Sequence, residues 1–168
     1  MSHVELVTST PSDFRTFMSG FPSGVSVVTS LDDASRPWGM TCSALCSVTV
    51  DPPTLLVGMR AESPTLRAVL RSGAFAVNLL HADGRGTAEL FASGDPDRFD
   101  ATPWRLPPGA GGPHLVRDAH AVADCRVSQL VPVGGQRMVF GEVVRITELS
   151  DAPPPLLYGR RQFSTWTA

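Results

Sequence analysis

The residues with most chemistry to offer lie between Met40 and Ser47, where Thr41, Ser43 and Ser47 alternate with Cys42 and Cys46 on a stretch otherwise rich in β-formers. Short hydroxyl and thiol side chains keep bulk off a strand. A flat ligand can then lie against the backbone while the hydroxyls hydrogen-bond polar ring edges or a polyol chain. A second set follows in "ESPTLRAVLRSG". There Ser63 reads as a helix N-cap and Pro64 as the first helical residue, and the hydroxyls of Ser63 and Thr65 stand beside free amides at the positive end of a helix dipole, which suits a phosphate. Ring, polyol and phosphate together describe a flavin nucleotide. Each feature also has a plainer reading: Thr41, Ser43 and Ser47 as residues of a half-exposed strand, and Ser63 as a cap that needs no ligand.

Other chemistries are narrowed by what is missing. There is no GxGxxG after a strand, no GxxxxGK[ST] and no GxSxG, and His3, His81, His114 and His120 follow no triad order. The three cysteines, Cys42, Cys46 and Cys125, lack zinc-site spacing, so no metal is expected, and they read as buried small hydrophobes in a reducing compartment. All 14 basic residues are arginine, which removes lysine Schiff-base chemistry and leaves any phosphate to arginine, hydroxyls or backbone. A net charge of -2 gives no basic field for nucleic acid or acidic membranes. No apolar run approaches the roughly 18 residues of a membrane span, and "MSHVELVTSTPSDF" lacks the pattern of a signal peptide. The expectation is a cytoplasmic protein without nucleic-acid or membrane partners. Its 168 residues, 42% of them hydrophobic, are read as one domain over 1–168 with a core from about 12 to 165.

The elements that must position these residues are mainly strands. "PSDFRTFMSG" reads as a short helix capped by Ser12 or Asp13, stopped by Gly20, with Phe14, Phe17 and Met18 on one face that lids the core. "GVSVVTSL" turns at Asp32 and Asp33 and returns through "RPWGMTCSAL" as a hairpin, and "TLLVGM" follows the Pro52–Pro53 break. The Ser63 helix turns Leu66, Val69 and Leu70 inward and ends at Gly73; "AFAVNLL" is a strand and "RGTAELFASG" a helix. Asp95 to Gly112 reads as a long surface loop, and two long alternating runs around "GG" form an antiparallel pair. Strands with a few short helices predict a mainly β fold, a closed or nearly closed antiparallel barrel.

Five ordered motifs, "FRTFMSGFPSGVSVVTS", "WGMTCSALCSVTVDPPTLLVGM", "SPTLRAVLRSGAFAVNLL", "CRVSQLVPVGGQRMVFGEVVRI" and "PLLYGRRQF", resemble the short-chain flavin reductases, the reductase components of two-component flavin-dependent monooxygenases. The likeness runs from Phe14 to Phe163. It implies a homodimeric FMN-binding split β-barrel of Greek-key type that binds FAD or FMN, takes hydride from NADH or NADPH, and supplies reduced flavin to a separate monooxygenase. Carried over by position, the ring and ribityl site falls on Met40, Thr41, Cys42, Ser43, Ala44 and Ser47, and the phosphate end on Ser63 and Thr65 with Asn78 close by. Pro22 to Val25, with Ser23 and Gly24 between them, border the ring face, and Phe163 its dimer-related edge.

Two departures stand out. Ser43 replaces a frequent asparagine, and Gln136 replaces the histidine of a Gly-Asp-His that borders the nicotinamide, so the site loses a group able to become cationic. Gln136 also leaves open an alternative, a flavin-binding carrier or sensor without turnover. An oxidase of the pyridoxamine-phosphate type lacks the basic cluster that a second phosphate substrate needs. Trp38 either stacks on an adenine or covers the barrel mouth, and Arg160 and Arg161 are either a solvated pair or reach phosphates from a partner subunit. Hydride transfer between stacked rings needs orientation and exclusion of water more than an acid or base, so no catalytic residue is expected.

Overall fold

The computed structural model describes residues 8–149 and 154–166; His3 lies outside them. Ten strands and three helices run in the order α1 (Pro11–Ser19), β1 (Ser23–Gly24), β2 (Ser26–Leu31), β3 (Pro37–Cys42), β4 (Leu45–Val50), β5 (Pro53–Arg60), α2 (Pro64–Ser72), β6 (Ala74–Leu80), α3 (Arg85–Ser93), β7 (Ala119–Val133), β8 (Gln136–Glu148), β9 (Leu156–Gly159) and β10 (Gln162–Thr165). The small strands β1, β9 and β10 form one antiparallel sheet, and the other seven form a second in the order β3-β2-β6-β7-β8-β5-β4.

The two edge strands of the large sheet, β3 and β4, are consecutive in the chain and joined by only Ser43 and Ala44. An edge-to-edge passage that short requires the sheet to curl until its edges meet. At that corner the Gly58 amide donates to the Ala44 carbonyl at 2.8 Å, but no ladder joins β3 to β4. The result is a split barrel, as the mainly β reading expects. One run of alternating residues was expected through Thr41 to Ser47; it is two strands, because alternation continues across a corner without marking it.

Alternation along β2 and β3 sorts the core onto two faces. Val28 and Cys42 point into the barrel with Val57, Met59, Phe75, Val77, Cys125 and Val139, where α2 contributes Leu66 and Val69. Val27 faces outward, where α3 and the segment after it cover the sheet with Ala88, Phe91, Phe99 and Leu115. Gly39 on β3 is needed there, since a Cβ would come within 2.9 Å of the Phe91 ring and 3.0 Å of Phe99.

Four expectations are corrected. α1 is capped by Thr10 in a capping box with Asp13, and it buries none of its residues: Phe17 is 76% exposed, so this helix does not lid the core, although Phe14 and Met18 line a cavity against Ala44 and Leu45. Leu70 is exposed, because α2 turns Thr65 and Ala68 inward beside Leu66 and Val69. Asp95 to Gly112 is no loose surface loop, as Arg98, Phe99 and Thr102 are buried in it and the Phe99 ring meets Phe91 edge-on at 5.0 Å. Cys46 is exposed while Cys42 and Cys125 are buried, and burial pushes their thiols up to about 11 and about 12. Among the described residues no helix is long and apolar enough to cross a membrane.

Candidate flavin-binding cleft

Because β3 is an edge strand, one row of its backbone groups has no strand partner. A groove runs along that row, with the first turn of α2 on one side and the last turn of α3 on the other. One cavity of about 440 Å³ is lined by Trp38, Met40, Thr41, Arg60, Ser63, Thr65, Phe91, Ala92 and Arg98, among others. A second, about 470 Å³, begins where Thr41 and Ala92 are shared and ends against Val25, Ser43, Tyr158 and Phe163. Each has the size of a small-molecule site.

Local structure explains each wall. Ser63 Oγ accepts from the Leu66 amide and donates to Met40 Sδ at 3.4 Å, which ties the start of α2 to the middle of β3. Pro64 has no amide to offer, the Leu66 amide is taken by Ser63 Oγ and the Arg67 amide by the Ser63 carbonyl, so the free backbone donor at this helix start is that of Thr65. Thr41 Oγ1 donates to the Ala88 carbonyl at 2.6 Å, and this bond fastens α3 to the strand. At the other end Tyr158 and Phe163, neighbours across β9 and β10, meet edge-on at 5.1 Å, and the Arg85 guanidinium sits 5.5 Å from the Phe163 ring centre. Trp38 is fixed by its indole N–H, which donates to Asp32 at 3.0 Å; that bond, with the Arg36 amide next, pulls the Asp32 carboxyl down to about 2.

The structure brings Met40, Thr41, Ser43, Ser63, Thr65 and Phe163 to the groove walls. Ser23 and Ala44 line an adjoining apolar cavity of about 640 Å³ that also opens onto Ser43 and Tyr158. Gly24 stands beside it on β1, paired with Leu157. Three of the positions carried over by resemblance stand away from the groove walls. Cys42 points into the barrel, its thiol directed at the Ala44 and Gly58 carbonyls, while its own carbonyl accepts from Ser26 Oγ and it lines none of these cavities. Asn78 is fully buried away from the cleft: its amide donates to the Val27 and Pro113 carbonyls, and its oxygen accepts from the Leu115 amide at 2.8 Å. Ser47, beyond the corner on β4, pairs with Leu55 and lines none of these cavities. Gln136 is exposed at the β7–β8 turn, opposite Arg60 in the ladder and outside all three cavities.

The sequence reading missed Arg98, Phe91, Arg60 and Tyr158. A signal for Arg98 was present in "DPDRFD", where a Phe beside the Arg is out of place in a solvated loop. A groove with a phosphate-suited helix start, free strand backbone and a flat aromatic end fits a flavin nucleotide.

The chain matches the family model "Flavin reductase like domain" over residues 18–167. It belongs to the flavin reductase family. A flavin reductase (NADPH) of Lentzea aerocolonigenes is 49% identical over 158 residues, 94% of this chain and 91% of that one. The reductase subunit of a flavin-dependent monooxygenase of Rhodococcus jostii is 32% identical over 148 residues, 88% of this chain and 74% of that one. Among solved structures, the NADH:FAD oxidoreductase of Streptomyces globisporus superposes with a TM-score of 0.87 at 29% identity, covering 98% of each chain. In a flavin reductase built this way the groove depends on the split in the barrel, since a closed β3–β4 ladder would occupy the backbone row along which it runs.

Proposed function

We propose that this flavin reductase reduces free FAD or FMN with NADH or NADPH and passes the reduced flavin to a separate flavin-dependent monooxygenase. The observation that carries the reading is the groove along the unpaired edge of β3, continuous from the α2 start to the Tyr158–Phe163 pair. When bound, the flavin ring accepts hydride from the reduced nicotinamide. The chain's own part is to hold and to shield. Backbone around Thr41 and Ser43 takes the ring's polar edge, Ser63 and the Thr65 amide take the phosphate, and Val25, Tyr158 and Phe163 keep water from the ring. Ser43 donates where Asn78, Cys42 and Ser47 do not reach. Hydroxyls and backbone amides without a covalent anchor suit release, so flavin is handled as a substrate.

The whole chain acts as one unit in the cytoplasm, as a homodimer. Support for the dimer comes from large apolar residues left exposed, Phe14, Phe17 and Phe21 at and after α1 and Val48 and Val50 on β4, Val50 being 88% exposed. Sedimentation giving a stable monomer that still turns over would remove it. The test of the main reading is anaerobic stopped-flow absorbance with FAD or FMN and either nicotinamide. Bleaching of many equivalents of flavin is the expected result, and tight flavin binding with no bleaching by either nucleotide would leave a carrier or sensor instead.

A further inference from the structure

The groove does not end at the α2 start. It continues along β3 past Met40 to Gly39 and Trp38, where Arg98 forms part of the wall. Arg98 is only 7% exposed, yet no carboxylate lies within ion-pair distance of it among the described residues. Its Nε donates to the Gly39 carbonyl at 3.0 Å and its Nη1 to the Asp95 carbonyl; neither bond takes Nη2. Its cation also lies over the Trp38 ring, 6.0 Å away, and the Asp95 carboxylate attracts it only from beyond ion-pair distance. A buried guanidinium fixed by neutral carbonyls is costly unless an anion arrives to compensate it. Arg60, exposed, is the other cation in the lining of this cavity and Glu62 its single carboxylate, so the lining itself is net positive before the helix dipole is counted.

Distances along β3 set the order of ligand parts. Met40, bonded to Ser63, marks the first phosphate; Gly39, bonded to Arg98, is the next residue, about 3.3 Å further along the strand. Trp38 follows, its ring held by Asp32. We propose that Arg98 binds the second phosphate of a flavin dinucleotide and Trp38 stacks its adenine, so that this reductase selects FAD over FMN. The inference rests on the flavin reading of the groove. The shared chemistry is an adenine dinucleotide's pyrophosphate, which NADH and NADPH also carry, and the experiment separates the two sources.

Dissociation constants for FAD and FMN, from quenching of flavin fluorescence, are compared in the wild type, Arg98→Met, Arg98→Lys and Trp38→Leu, with the KM for NADH and for NADPH measured alongside. The wild type binds FAD at least about tenfold tighter than FMN, as a charge-assisted bond to one more phosphate gives. Arg98→Met and Trp38→Leu each erase most of that difference by weakening FAD alone, and Arg98→Lys restores part of it. Equal losses for FAD and FMN, or a rise confined to the nicotinamide KM, would overturn the assignment while leaving the flavin reading intact. Absence of any flavin binding by the wild type would instead defeat the flavin reading itself. Trp38 carries no buried charge, so its variant keeps the test open if Arg98→Met fails to fold.

Discussion

Two buried charges, one within the Asp95–Gly112 segment near its start and one bonded to it from β7 near its end, are treated in opposite ways. Asp124, on β7, is fully buried and satisfied by the chain: it accepts from the Gly111 amide at 2.8 Å, from His114 Nε2 at 3.0 Å and from Arg145 Nε at 2.8 Å. Burial pushes its carboxyl up, but those bonds, His114 first, more than offset this and hold it below the usual range. Arg98, near the start of the segment, is left with neutral carbonyls and an aromatic ring, and burial lowers its pKa, with Asp95 opposing. The difference separates holding from binding. One charge is closed within the fold and pins the end of the segment to the sheet, while the other is kept open on a cavity wall.

The comparison breaks first at Asp124. Asp124→Ala should lower the unfolding free energy by about 3–5 kcal/mol in urea titrations, because it strands Arg145 and His114 without their acceptor. Arg98→Met should cost less, about 1–3 kcal/mol, because it leaves the Gly39 and Asp95 carbonyls without their donor but strands no buried charge; a loss as large as that of Asp124→Ala would erase the contrast. Next is Ser63→Ala, which removes a cap of about 1 kcal/mol and should weaken FAD and FMN to the same degree, unlike Arg98→Met. Acid gives a smaller and graded effect. A carboxyl with a lowered folded pKa contributes stability that is complete above its unfolded value of about 3.9 and lost as pH falls through the folded value. Thermal melts should therefore be flat in this contribution down to about pH 4 and fall below it, and Asp124→Asn should flatten that fall. Smallest is Gln136→Ala, at an exposed position outside the groove: a rise in the nicotinamide KM of at most about tenfold with the flavin KM unchanged, since one neutral hydrogen bond contributes about 0.5–1.5 kcal/mol. Equal effects on both KM values would take Gln136 off the nicotinamide side.

Strand and helix positions were legible because alternation and caps are local signals. Ser63, Pro64 and Gly73 bracket α2 in the sequence as they do in the structure. What local signals cannot carry is which surface meets which. The Phe14, Phe17 and Met18 face of α1 reads as a core face, but periodicity says only that a face is apolar and not what covers it. Asn78 reads as a cleft residue from its motif, although three backbone groups brought together from β2 and from around Pro113 and Leu115 absorb its side chain. Arg98 is the converse case, a binding group hidden in a Pro- and Asp-rich stretch whose composition reads as solvated loop.

The unpaired edge of β3 also bears on how the protein must be handled. A row of strand amides and carbonyls without a ladder is a template on which strands from other molecules can assemble, and β3 carries no charged residue to discourage them. A nucleotide lying in the groove would cover that row. Preparations stripped of flavin should therefore lose solubility sooner than loaded ones at equal thermal stability, with saturating flavin in the buffer as the remedy.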